Sequence, residues 1–172
     1  MKAKKDQSVV STETKIEPTA VVDHTQQVID ELVKKAVGAL DKFLTLDQAA
    51  VDQIVTKAAT AAVDQHGPLA LFAQEETQKG VFEDKAIKNL FAAEYVKNNI
   101  INSKTVGIIS EDPLTGITEI AEPVGVIAAL TPTTNPTSTV IFKALIALKT
   151  RNPIIFSVHP NAEKSSNEAA RV

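Results

Sequence analysis

The stretch from Glu122 to Pro160, EPVGVIAALTPTTNPTSTVIFKALIALKTRNPIIFSVHP, leaves few choices of fold. Val124 to Leu130 is a short apolar, partly β-branched run, the pattern of a strand buried on both faces. Pro132 and Pro136 bracket a polar turn, Thr133-Thr134-Asn135, after which Thr137 or Ser138 can cap a helix. Val140, Ile141, Ala144, Leu145 and Leu148 recur at helical spacing, and Lys149 and Arg151 bring positive charge to the negative end of that helix. Ile154, Ile155 and Phe156 form a second buried run, broken by Ser157 to Pro160. Strand, turn, helix, strand makes a βαβ unit, two parallel strands joined by a right-handed crossover. In open parallel sheets ligands sit beyond the carboxyl ends of the strands, which places the candidate site on loops 131–136 and 157–160.

The preceding residues read as a helical layer followed by a hairpin. Residues 1–18 are polar, lysine-rich and aperiodic, as in a disordered leader. From Thr19 an amphipathic helix carries Val28, Leu32, Ala36 and Leu40 on an apolar stripe, predicted to pack inward against the second or fourth helix. Thr45 and Gln48 have capping-box spacing for a second helix, with Val51, Ile54, Val55, Ala58, Ala62 and Val63 on its inner face and Gly67-Pro68 as its stop. Pro68 opens a third helix to about Gln78, stopped by Gly80. A fourth, from about Glu83 to Asn98, sets Ile87, Leu90, Phe91, Glu94 and Tyr95 on one side. TVGIIS (105–110) and ITEIA (117–121), separated by a turn with Pro113 and Gly116, are the arms of a hairpin. Asn161 can cap a last helix, whose pattern is still running at Arg171-Val172.

Composition removes several functional classes. A net charge of −3 and a pI near 5.6 give no basic footprint for nucleic acid. No run approaches the ~20 apolar residues that span a bilayer, and no apolar core follows Lys2, Lys4 and Lys5 as a secretory signal requires. There is no cysteine, so disulfides and thiolate metal sites are out, and the three histidines are too scattered for a metal cluster. The expected location is the cytoplasm. Glu75-Glu76, Glu83-Asp84 and Glu111-Asp112 are sequence neighbours that diverge around a helix and read as solvated surface, as do His24 and His66.

EPVGVIAALTPTTNPTST followed by LKTRNPIIFSVHP resembles the coenzyme-A-acylating branch of the aldehyde dehydrogenase superfamily. FEDKAIKNLFAAEYV (82–96) and SEDPLTGITEIAEP (110–123) fit the same family, so the likeness covers roughly residues 28–172. The family commonly has Pro where Val158 stands, and a small residue where Pro153 does. The likeness implies an α/β chain: a helical layer over 19–104, an oligomerisation hairpin over 105–122 that builds homo-oligomers, and the start of an NAD-binding βαβ domain, cut short, over 123–172.

In that family Thr131, Pro132 and Thr133, with Ser157, His159 and Pro160, stand where the adenosine half of NAD is held. The phosphate-cradling GxGxxG is absent, as the resemblance leads one to expect. Asn135, between a buried strand and a helix start, has an amide able to donate to an oxyanion, and an Asn at this turn does so in the wider superfamily. Aligning Pro132 and Pro136 with the commoner family pattern without a gap sets Thr134 opposite that Asn, so both residues are candidates. The implied reaction converts aldehyde, coenzyme A and NAD to acyl-CoA and NADH through a cysteine thiolate, which this chain lacks. Two functions fit: an N-terminal fragment of such an enzyme, inactive alone, or a non-catalytic assembly protein derived from the family.

Overall fold

The computed structural model describes residues 19–172, with side chains from His24 onward. The leader read over 1–18 lies outside the described residues. In order come α1 (Thr19–Phe43), α2 (Gln48–Asp64), α3 (His66–Thr77) and α4 (Phe82–Leu90), then a π-helical turn (Phe91–Tyr95) that runs into α5 (Val96–Ile100). The hairpin strands β1 (Gly107–Asp112) and β2 (Ile117–Ala121) follow, then β3 (Ile127–Thr131), α6 (Pro136–Lys149), β4 (Ile154–Val158), a 3-10 turn (Pro160–Ala162) and α7 (Glu163–Arg171).

The βαβ unit forms as its periodicity demands. β3 and β4 pair in parallel, from Ile127 opposite Ile154 to Thr131 opposite Val158. Beneath them α6 presents Val140, Ile141 and Leu145 to the core, where they meet Val51, Val55, Ala59 and Ala62 of α2, and Ala92 and Ala93 of the π turn. Leu130 is 74% exposed and Ala128 is exposed too, which corrects the expectation of a strand buried on both faces. The cause is geometric: side chains alternate along a strand, and α6 covers only the face of Ala129 and Thr131. Val124 lies outside the strand and is exposed.

The helix ends depart from the expected caps. Asp47, not Thr45, caps α2, accepting from the Ala50 amide at 2.8 Å, while the Thr45 hydroxyl donates to the Lys42 carbonyl. Gln65 closes α2, so Gly67 and Pro68 fall inside the first turn of α3. His66 is half-buried and its Nδ1 donates to the Val63 carbonyl at 2.6 Å, which removes it from the solvated surface. Asn135 is the N-cap of α6 with Pro136 in the first turn, and Thr137 donates instead to Asn89 Oδ1 at 2.8 Å. α7 is capped from another helix: the Glu76 carboxylate accepts from the backbone amides of Lys164 and Ser165, both at 2.8 Å.

Lys149 and Arg151 do more than complement a helix dipole. Lys149 is buried; its Nζ pairs with Asp52 Oδ1 and donates to the Ile101 carbonyl at 2.7 Å, tying α6 to α2 and to the end of α5. Arg151 adopts φ 57°, and the amides of Arg151 and Asn152 reach back to the carbonyls of Leu148 and Ala147, the paired bonds of a Schellman ending. The Arg151 guanidinium then donates to the Ala121 carbonyl at the foot of β2. On the other leg, Gln48 Oε1 accepts from the amides of Thr105 and Val106, and the Thr105 hydroxyl donates to the Lys149 carbonyl at 2.6 Å. The hairpin, exposed along nearly its whole length, is thus held at its base by side chains of α2 and the end of α6.

The stripes of α1 and α4 point elsewhere than expected. Ala36 is buried, but Val28 and Leu32 are 43% and 39% exposed, and the main contacts of α1 are with β4, not with α2 or α4. On α4 the inward residues are Lys85 and Asn89, whereas Ile87, and Phe91 and Tyr95 of the π turn that follows, face out, the two rings stacked at 5.4 Å.

Candidate functional site

Loops 131–136 and 157–160 meet at the carboxyl ends of β3 and β4, where the His159 amide donates to the Thr131 carbonyl at 3.1 Å. Thr131 is buried and its hydroxyl has no hydrogen-bond partner; the covered hydroxyl of Thr133 has none either. Buried hydroxyls are normally paired, so two orphans on one strand end fit a site whose polar occupant would satisfy them. Pro132, Ser157, His159 and Pro160 are exposed at the same strand ends. His159 Nδ1 accepts from the Asn161 amide at 3.1 Å, so its proton sits on Nε2, which is free to donate. Among the described residues the Asn161 side chain caps nothing, contrary to expectation, and Glu76 takes that role for α7.

Asn135 lies at the other side of the turn. It is half-buried, makes no side-chain cap bond, and its Oδ1 accepts from Lys88 Nζ at 3.2 Å. Its Nδ2 makes no hydrogen bond among the described residues. Asn135 is among the residues lining a groove of ≈ 550 Å³ between α4 and α6, whose walls are mainly Ile87, Phe91, Ala92, Val96 and Phe142. A second cavity of ≈ 490 Å³, by Ala58, Leu148 and Phe156, is lined by no residue of either loop and holds no candidate chemistry.

Sequence reasoning passed over the two lysines that hold the turn. Lys85 is buried and its Nζ donates to the Thr134 carbonyl at 2.9 Å. Burial, and then the nearby charge of Lys88, push the Lys85 ammonium below the usual lysine value. Thr134 is exposed, and its carbonyl is engaged by Lys85. The i, i+3 spacing of Lys85 and Lys88 set both on one face of α4, a signal present in FEDKAIKNL but indistinguishable there from a solvated charged face.

A helical layer, a parallel strand pair joined by a crossover helix, and a hairpin anchored on the end of that helix are the architecture from which the class follows. The chain belongs to the aldehyde dehydrogenase family, whose description matches it over residues 1–172. Within that family its likeness is to the acylating branch read from the sequence. It is 64% identical over 144 residues to the aldehyde-alcohol dehydrogenase of Streptococcus pneumoniae serotype 4, a match covering 84% of this chain and 16% of that one. Its fold matches the acetylating aldehyde dehydrogenase of Geobacillus thermoglucosidasius with a TM-score of 0.85 and 48% identity, over 89% of this chain and 34% of that one. A propionaldehyde dehydrogenase of Rhodopseudomonas palustris, solved with bound coenzyme A and an acylated cysteine, matches with a TM-score of 0.68 and 31% identity, over 83% and 32% of the two chains. An engineered glycolyl-CoA reductase with bound NADP⁺ matches at 0.68 and 30%, over the same shares. The chain spans about a sixth of the length of the curated relative and a third of the solved ones.

Proposed function

We propose that this chain is the N-terminal part of an NAD-dependent acylating aldehyde dehydrogenase, contributing the oxyanion donor, the groove for the aldehyde and one wall of the nucleotide site. The observation that carries the reading is the Asn135 amide: Lys88 occupies its oxygen, which leaves two N–H donors on a residue that lines a mainly apolar groove. In the reaction a cysteine thiolate from outside this chain adds to the aldehyde carbon, and the carbonyl oxygen becomes an oxyanion. Asn135 Nδ2 stabilises that charge, a contribution worth about 10²–10³ in rate where such a donor has been removed. As the oxyanion collapses, hydride leaves the carbon and a thioester remains; coenzyme A thiolate then displaces the enzyme thiolate and carries off the acyl group. NAD, when bound, takes the hydride.

Thr131, Pro132 and Thr133, with Ser157, His159 and Pro160, are the residues proposed to hold the nucleotide. The orphaned hydroxyls of Thr131 and Thr133 and the free Nε2–H of His159 supply donors for ribose and phosphate oxygens. The hairpin, with both strand edges unpaired, is proposed as the homo-oligomer contact, and the divisions 19–104, 105–122 and 123–172 as the helical layer, that contact and the nucleotide-binding unit. Among the described residues no helix is long and apolar enough to cross a membrane.

The test has two arms. Residues 1–172 assayed with acetaldehyde, coenzyme A and NAD give no turnover, and calorimetry gives NAD affinity weaker than micromolar; coenzyme-dependent turnover from this chain alone overturns the fragment reading. A chimaera in which the chain replaces its matched 144 residues of the S. pneumoniae enzyme is active, and Asn135→Ala lowers its kcat by about 10²–10³. Undiminished kcat in that variant removes Asn135 from the mechanism.

A further inference from the structure

We propose that Lys88 is a positioning residue for the acylation step: it holds the Asn135 carboxamide in the one orientation that presents nitrogen, not oxygen, to the aldehyde. The inference rests on the reading of Asn135 as oxyanion donor and adds what makes that donor effective. A terminal amide has two faces of opposite character, and a half-turn about its last bond exchanges donor for acceptor. Asn135 has no cap bond to α6 that would choose between them. Lys88 Nζ, 3.2 Å from Oδ1, is the only group among the described residues to bond that side chain, and a cation can only donate. The oxygen is therefore drawn toward α4, and the nitrogen is left over.

The rest of the turn is arranged so that this one bond suffices. Buried Lys85 pins the Thr134 carbonyl at 2.9 Å, so the backbone that carries Asn135 is fixed from the same helix. Asn89, one residue beyond Lys88, accepts from Thr137 and donates to the His66 carbonyl, fixing the first turn of α6. Lys88 itself is exposed and takes part in none of this packing.

The experiment is a double-mutant cycle in the chimaera described above, with Lys88→Met, Lys88→Arg, Asn135→Ala and the double variant Lys88→Met/Asn135→Ala. Lys88→Met is expected to lower kcat about tenfold while leaving KM for NAD unchanged, and Lys88→Arg to restore most of the loss. In the Asn135→Ala background Lys88→Met is expected to cost less than about twofold, because its effect runs through the amide. A side chain with a merely structural role would cost the same in both backgrounds. A second readout needs no activity: in the ¹⁵N-labelled 172-residue chain, the Asn135 side-chain amide resonances, assigned by their loss in Asn135→Ala, move in Lys88→Met and return in Lys88→Arg. If Asn135→Ala is harmless, the oxyanion reading falls and this inference with it. If Asn135→Ala is impaired but Lys88→Met is not, or the two losses multiply, the inference alone is overturned.

Discussion

Glu76 lies 88 and 89 positions from the two amides that it caps, and it shows what a single carboxylate contributes when its partner is remote. The first amides of a helix have no partner within it, and α7 is met by a side chain of α3 instead of one of its own. Burial pushes the Glu76 carboxyl up, but the hydrogen bonds from Ser165 and Lys164, with the Lys164 charge, outweigh it and hold the group below its ordinary value. Stability linked to a depressed carboxyl is fully present above the unfolded pKa and is lost as pH falls through the folded one. Glu76→Gln is therefore expected to unfold about 1 kcal/mol more easily at neutral pH. In urea titrations the gap from the parent chain should close as pH drops below about 4. A constant gap across that range would mean that Glu76 acts by packing and not by charge.

At the scale of elements, the βαβ unit and the hairpin were legible because their signals are local. The switch from apolar runs to helical spacing around Thr131 to Pro136, and the Pro113 and Gly116 turn, lie within a few residues of what they determine. Caps and inward faces were not legible, because their partners are distant. Ile87, Phe91 and Tyr95 look like the core side of α4. Yet Lys85 and Asn89 face inward, since the groups they satisfy, the carbonyls of Thr134 and His66 and the hydroxyl of Thr137, arrive from other elements. The candidate residues were read onto the two loops that meet at the ends of β3 and β4, while the lysines that hold the turn were missed, for the same reason.

The join between the hairpin and the βαβ unit makes the point testable. Arg151 pays for its φ of 57° in backbone strain that glycine would avoid, about 1–2 kcal/mol, while its guanidinium holds the Ala121 carbonyl. Arg151→Gly relieves the first and removes the second, so the unfolding free energy should change by less than about 1 kcal/mol. Hydrogen exchange should distinguish the two effects: the amides of β1 and β2 exchange faster while those of α6 keep their protection. Unchanged exchange in the hairpin would show that Gln48 and Thr105 alone hold its base.

For the whole molecule, the balance between covered and uncovered apolar surface decides behaviour in solution. α6 has its core face filled by α2 and the π turn, but among the described residues other apolar side chains stay open: Val28, Ile29, Leu32, Val33 and Val37 on α1, Ile87, Phe91 and Tyr95 beside the groove, Ile108, Ile117 and Ile120 on the hairpin, and Leu130 on the free face of the sheet. Apolar side chains scattered singly are ordinary on a soluble protein, whereas runs of them along one helix face mark surfaces that associate. α1 is the clearest case, because its stripe has helical spacing and its main contacts are with one strand only. The chain is therefore expected to associate at micromolar concentration, seen in sedimentation velocity as a boundary that speeds up with loading. Val28→Glu/Leu32→Glu puts two charges on the exposed part of the stripe and leaves buried Ala36 untouched, so the helical content measured by circular dichroism should hold while association weakens at least tenfold. Association undiminished in that variant would leave it to the hairpin, the contact proposed for the complete enzyme, or to the free face of the β3–β4 sheet, where Ile117→Lys and Leu130→Lys separate the two.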